Sequence, residues 1–399
     1  MDQRLIELKS QLRNELTLNI LPFWMDRMTD MQRGGFHGRI DGYNNLHADA
    51  PKGAVLNARI LWTFASAYRV IGDPQYLDTA MRAKRYLIDH FYDAENGGIY
   101  WMLNADGTPL DTKKQIYALG FAIYGFSELG RATGDRESIE YAIKLYEDIE
   151  AHAYDSAAGG YWEAFTREWG EIADARLSEK ETNDRKTMNT HLHILEPYTN
   201  LYRVWQDPGL KKKIQELLDV FMDRIYRSDI GHLGLFFGDA WELHGDIRSY
   251  GHDIEASWLM TEAAQVIGDT ERMQRLLDIV RRIADVCSSE ALQSDGSMIY
   301  EYDPSTGHIE QNRDWWPQAE TVIGYFNSWQ LLGREEDLAR CIGAWHFIQE
   351  HIVDHVGGEW YWGMLANGQT NFKDDKAGPW KCPYHNSRMC LELIERISG

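Results

Sequence analysis

Apolar positions along this chain fall into paired helical stretches. Residues 54–70 and 118–132 are apolar on nearly every side, whereas 271–286 sets an apolar stripe against Arg272, Arg275, Arg281 and Arg282. A helix that is apolar all round is buried, and one with a polar stripe keeps that stripe in water. The spacing therefore predicts buried and exposed helices in alternation. Polar breaks divide each pair: Ile71-Gly72-Asp73-Pro74, Thr133-Gly134-Asp135, Gln206-Asp207-Pro208, Ile267-Gly268-Asp269 and Leu332-Gly333-Arg334. A glycine that closes one helix, followed by an acid or proline that opens the next, is helix-hairpin chemistry.

Between the hairpins a glycine or glycine pair leads into a short aromatic run. The copies start at Gly34, Gly97, Gly159, Gly234, Gly296 and Gly357, giving steps of 63, 62, 75, 62 and 61 residues. This is an internal repeat long enough for one turn and two helices. Strands are expected only as short hairpin-like pieces in the glycine and aromatic stretches. Residues 3–28 add an outer helix at the start, and one inner helix at roughly 384–396 closes the chain. Six inner and six outer helices make an all-α (α/α)6 barrel, with residues 1–399 as one catalytic domain. An open solenoid of the same hairpins is the structural alternative. The unpaired outer helix at one end and inner helix at the other favour closure.

The longer third step places its surplus in residues 169–186, a polar and highly charged stretch. A loop of that length is either a flap over a cleft or a solvated excursion.

Composition narrows the partners. With 62 acidic against 41 basic residues the formal net charge is −21, which repels nucleic acid and anionic membrane surfaces. The first residues lack the apolar core of a signal peptide, and no uncharged apolar run reaches spanning length. A cytoplasmic protein is expected. Cys287, Cys341, Cys382 and Cys390 are scattered without the paired spacing of a zinc site, so structural reduced thiols and no metal are expected.

Because the inner helices of such a barrel all start at one end, residues near those starts converge on a common funnel. The six places hold Arg59, Tyr117, His193, His252, Trp316 and His385. Three histidines at matching phases are difficult to explain as core filling. Around them lie Asn189, four before His193, Glu255, three after His252 and so placed to hold its imidazole, and the pair Trp315-Trp316 with Glu320 one turn on. His152, His244 and His346 are read as surface or packing residues. With 15 Trp and 21 Tyr the chain is rich in flat rings with polar edges, which suit the apolar faces of sugars. A glycosidase needs two carboxylates across the scissile bond. Imidazoles instead both take and return protons at neutral pH, as abstraction next to a carbonyl requires. Arg59 can stabilise negative charge on a sugar oxygen. Epimerisation or isomerisation of a reducing sugar, with no cofactor demanded, follows.

The segments Asn57-Ala58-Arg59-Ile60-Leu61-Trp62, Asn189-Thr190-His191-Leu192-His193, Gly251-His252-Asp253-Ile254-Glu255-Ala256-Ser257-Trp258, Trp315-Trp316-Pro317-Gln318-Ala319-Glu320 and Trp380-Lys381-Cys382-Pro383-Tyr384-His385-Asn386 resemble the cellobiose 2-epimerases of the N-acylglucosamine 2-epimerase superfamily. The similarity runs through all six repeats. The resemblance implies reversible epimerisation at C2 of the reducing-end sugar of β-1,4-linked disaccharides. It further implies that His252 and His385 are the acid/base pair and that His193 and Arg59 help ring opening and hold the O1 and O2 region. Tyr117, Asn189 and Glu255 would position the sugar and the bases, while Trp258, Trp315, Trp316, Glu320 and Trp380 would shape the subsites. A disaccharide is thus the expected partner of a monomeric enzyme. Relatives acting on N-acylglucosamine or on mannose, a glycosidase or lyase of the same fold, and a non-catalytic sugar-binding protein are the alternatives.

Overall fold

The computed structural model describes residues 2–178 and 182–397. Gln3–Glu15 (α1) runs through a π-helical turn, Leu16–Ile20, into Leu21–Arg27 (α2). There follow Ala54–Ile71 (α3), Pro74–Tyr86 (α4), Ile116–Thr133 (α5), Arg136–His152 (α6), Met188–Val204 (α7) and Pro208–Val220 (α8). The chain continues through Tyr250–Val266 (α9), Thr270–Glu290 (α10), Trp315–Leu332 (α11), Glu335–His351 (α12) and His385–Arg396 (α13). Contacts run from α3 to α5, α7, α9, α11 and α13, and from α13 back to α3. That closed inner ring is the (α/α)6 barrel, and it excludes the open solenoid. The outer ring is α1–α2, α4, α6, α8, α10 and α12.

The hairpin breaks work as their residues dictate. Asp73, Asp135, Asp207 and Asp269 each cap an outer helix by accepting a backbone N–H two or three residues on. Gly72, Gly134 and Gly333 close the inner helices in the left-handed conformation. Inner helices approach closely: a Cβ at Gly120 on α5 would stand 2.2 Å from the His193 carbonyl oxygen of α7.

Among the described residues the strands are two or three residues long. They occur in the glycine and aromatic stretches and also, contrary to expectation, immediately before five of the inner helices. Lys52–Gly53, Lys114–Gln115, Lys186–Thr187, Arg248–Ser249 and Arg313–Asp314 each pair with a strand of the next repeat. A bridge between Ile40 and Ala377 joins the two ends of the chain at the rim. In the fourth repeat the expected turn glycine, Gly234, is not the one used. Tyr226–Arg227 pairs with His232–Leu233, so Gly231, with φ +87°, turns the chain three residues earlier.

The rim is fastened by a repeated buried ion pair. Lys52, Lys114 and Lys186 meet Asp30, Asp93 and Asp155 at 3.0, 2.9 and 2.7 Å, and Lys376 meets Asp354. Each aspartate also accepts backbone N–H bonds from its own turn. One carboxylate thus folds the turn and anchors the strand that enters the next inner helix. The surplus loop is tied to this rim: Trp169 stacks on His152 at 4.3 Å, and Gln115 donates to the Ala175 carbonyl. Glu179, Lys180 and Glu181 of that loop lie outside the described residues. No helix among the described residues is long and apolar enough to cross a membrane. Cys287, Cys341, Cys382 and Cys390 are buried free thiols.

Burial pushes the Asp93 carboxyl up, but the bonds from Arg167 and Lys114 outweigh it and hold the group well below the usual carboxylate range. Such a group contributes stability above its unfolded value, and the contribution is lost as pH falls through the folded one. Asp93→Ala leaves Lys114 buried and unpaired, so denaturant unfolding at pH 7 should show a loss of about 3–5 kcal/mol. The gap from the parent protein should narrow below about pH 4.

Candidate active site

Entry strands precede five of the six inner helices, and side chains of the first two turns of the ring face one another across the barrel end. Arg59 and His193 are the sixth residues of α3 and α7. Tyr117 and Trp316 are the second residues of α5 and α11, His252 is the third of α9, and His385 is the first of α13. The structure brings all six to one place. Trp316 lies against both His252 and His385, at ring separations of 4.7 and 5.7 Å, so the two imidazoles flank one indole. Tyr117 meets the His193 ring at 5.0 Å and accepts a 2.9 Å hydrogen bond from Arg59. Trp380 closes this side, 5.8 Å from Trp101 and 6.1 Å from Tyr117. Asn189, half-buried at the start of α7, keeps a buried side-chain oxygen with no partner among the described residues.

Below the histidines lies a charged layer that the sequence reading left out. Arg388, one turn after His385, has no exposed surface and contacts three carboxylates. Its Nη2 lies 2.6 Å from both Glu255 and Glu320, and its Nη1 donates to Glu196 and to Tyr384. Glu320 then accepts from His385 Nδ1 at 2.7 Å and from Trp258 Nε1 at 3.0 Å. Glu196 accepts from His193 Nδ1 at 3.1 Å and from Tyr384. An ionised carboxylate only accepts, so with Glu196 and Glu320 ionised against Arg388, Nδ1 of both histidines carries the proton and Nε2 is left as a base. The signal for this layer was present as spacing: Glu196 follows His193, and Arg388 follows His385, by three residues on one helix face.

Three expected contacts differ. Glu255 does not hold the His252 imidazole: it is bonded to Arg388 and lies 3.9 Å from His385. The guanidinium, a stronger donor than a histidine on its own helix, takes the carboxylate, and His252 Nδ1 meets Ser249 Oγ at 2.7 Å instead. Trp258, fully buried between Arg388 and Arg396, supports Glu320 rather than lining the funnel. Trp315 packs on Trp362 at 4.5 Å, with the Lys381 ammonium 5.3 Å from its ring, so of the tryptophan pair it is Trp316 that meets the imidazoles.

Burial pushes His252 down to about 3 and His385 well below the usual histidine range, the latter aided by the Arg59 and Arg388 charges. Both imidazoles are therefore neutral in the free protein at pH 7. Burial and the Glu320 charge push Glu255 up to about 8, whereas Arg388 and His193 overcome burial to hold Glu196 at about 2. Glu255, Glu320 and His385 bring candidate ligand atoms within 4.8 Å of one another. The Arg388 guanidinium already bridges both carboxylates, so a metal cation at this trio would sit beside a fixed positive charge.

A profile of the N-acylglucosamine 2-epimerase (GlcNAc 2-epimerase) family matches residues 34–388. The chain is 57% identical over 387 residues to a cellobiose 2-epimerase of Bacteroides fragilis, covering 97% of this chain and 98% of that protein. It is 40% identical to one from Ruminococcus albus, with 97% and 98% covered. The solved structure of a cellobiose 2-epimerase from Bacillus thermoamylovorans superposes with a TM-score of 0.93 at 40% identity, over 98% of this chain and 100% of that one. The ring of helices and these matches define a carbohydrate epimerase on an (α/α)6 scaffold. The chain belongs to the N-acylglucosamine 2-epimerase family.

A Cβ at Gly251 would stand 2.6 Å from Trp316 Cη2, so only glycine lets the indole lie over His252. Gly251→Ala should leave helix α9 intact by circular dichroism, because alanine is the better helix former. Displacing the indole by about 1 Å should lower turnover by roughly 10²-fold. Near-native turnover would show that Trp316 is not fixed by this contact.

Proposed function

We propose that this chain catalyses reversible epimerisation at C2 of the reducing-end glucose or mannose of β-1,4-linked disaccharides. Cellobiose would give glucosylmannose, lactose would give epilactose, and mannobiose would give mannosylglucose. The observation that carries this reading is that His252 and His385 flank one indole, with His385 Nδ1 held by Glu320 and its Nε2 free. The names of the Bacteroides fragilis and Ruminococcus albus relatives support the same substrate class.

The steps follow from the chemistry of the groups. After the ring opens, one imidazole takes the C2 proton through Nε2, and that C–H electron pair becomes the C1–C2 double bond of a cis-enediolate. Negative charge moves to O1, where Arg59 stabilises it, while His193, bare at Nε2, assists as a base in ring opening. Arg59 suits this: it is buried, its Cζ lies 4.1 Å from the Phe121 ring centre and 4.6 Å from that of Tyr384, and it donates to uncharged groups, Tyr117, Cys382 and the Trp380 carbonyl. The second imidazole, protonated on Nε2 from solvent beforehand, gives that proton to the other face of C2 as the carbonyl re-forms, and the first then loses its proton to solvent. Tyr117 and Asn189 position the opened sugar, and Trp316 and Trp380 give the disaccharide its flat apolar surfaces. A glycosidase reading lacks its carboxylate pair, because Glu255 and Glu320 share one guanidinium nitrogen on the same side of the site. Epimerisation of N-acylglucosamine and isomerisation of mannose are the alternatives within the family.

Cellobiose incubated with the enzyme in deuterated water and followed by NMR should gain deuterium at C2 and a mannose reducing end. Release of free glucose would point to hydrolysis, and a keto sugar as main product to an isomerase. His252→Ala and His385→Ala should each lower kcat by at least about 10²-fold with the fold retained. A variant that keeps its turnover removes that residue from the acid/base pair.

A further inference from the structure

The three histidines of the site do not hold their Nδ1 atoms in the same way. His193 and His385 give Nδ1 to carboxylates, Glu196 at 3.1 Å and Glu320 at 2.7 Å. His252 gives its Nδ1 to a hydroxyl, Ser249 Oγ at 2.7 Å. The difference has a chemical consequence. A carboxylate only accepts, which fixes one neutral tautomer, whereas a hydroxyl rotates to accept from Nδ1–H or to donate to bare Nδ1.

The placement of Ser249 is specific. It occupies the N-cap position of α9, where a serine ordinarily accepts from a backbone N–H of the first turn, yet its side chain makes no capping bond. The residue is 4% exposed, and its backbone is locked into the rim, with Arg248 opposite Tyr302 and Ser249 opposite Glu301. The hydroxyl is thus held at His252 by the strand ladder on one side, while Trp316 confines the ring on the other. Nδ1 is occupied by Ser249, which leaves Nε2 to serve the site.

We infer that Ser249 is a positioning residue for His252: it aims Nε2 at the substrate and supports His252 as proton acceptor and as proton donor at comparable cost. The inference rests on the epimerase reading above, in which a reversible reaction requires each imidazole to play both parts. His385 gains the same freedom through its charge partner, which stabilises the imidazolium. Among the described residues His252 Nδ1 is bonded to Ser249 rather than to a carboxylate, and it depends on the hydroxyl.

The test compares Ser249→Ala with the near-isosteric pair Ser249→Val and Ser249→Thr, using C2 proton exchange of each disaccharide epimer in deuterated water. In the parent enzyme both epimers exchange. Ser249→Ala and Ser249→Val should lower kcat roughly tenfold with KM little changed, the factor one hydrogen bond carries. Exchange should slow by that factor for the epimer whose C2 proton faces His252 and stay near the parent rate for the other. Ser249→Thr, which keeps the hydroxyl, should restore both. Equal slowing of both epimers, no slowing, or the same behaviour of Val and Thr would overturn the inference. Absence of exchange with the parent enzyme would overturn the epimerase reading instead. Should Ser249→Ala fail to fold, the Val and Thr pair decides alone.

Discussion

One guanidinium, buried among three carboxylates, governs the geometry of the site. Arg388 on α13 bonds Glu196 from α7, Glu255 from α9 and Glu320 from α11, so four of the six inner helices meet at a single cation. Three buried carboxylates would otherwise repel one another and seek protons. Arginine suits this position where lysine would not, because its planar fork of donors serves several acceptors at once. With Arg388 in place Glu196 and Glu320 can hold His193 and His385 by Nδ1. The cost is a charge layer that tolerates little change, since removal of any member leaves its partners buried and unpaired.

The barrel was legible because its causes are local and repeated. Left-handed glycine caps on three inner helices, aspartate N-caps on four outer helices and the contrast between all-apolar and striped helices recur from unit to unit. The rim residues were legible for the same reason, as six inner helices starting at one end bring the residues near those starts together. What escaped depends on contacts between distant segments. No spacing shows that Glu255 turns to Arg388, 133 residues away, rather than to His252 on its own helix. Likewise, the choice between Trp315 and Trp316 is made by Trp362, and the earlier turn at Gly231 by a strand pairing. The π-helical turns Leu16–Ile20, Leu87–Phe91 and Phe221–Ile225, which follow α1, α4 and α8, have no signature in the apolar pattern.

The same architecture explains how histidine chemistry is obtained from buried groups. Burial makes His252 and His385 neutral and therefore competent bases, and the Arg59 and Arg388 charges reinforce this at His385. Lasting positive charge stays on Arg388 and Arg59, one balanced by carboxylates and the other facing aromatic rings. The balanced cation organises the site, and the unbalanced one is available to an anionic intermediate. The −21 net charge lies elsewhere and does not dictate this division.

The central claim is that Glu320, held by Arg388, fixes the proton of His385 on Nδ1 and leaves Nε2 as the base. Histidine-selective 15N NMR of the ligand-free protein at pH 7 reads this directly, with assignment by comparison to His385→Ala. The account predicts a neutral imidazole at position 385 protonated on Nδ1. A resting imidazolium there, or the tautomer protonated on Nε2, would contradict it.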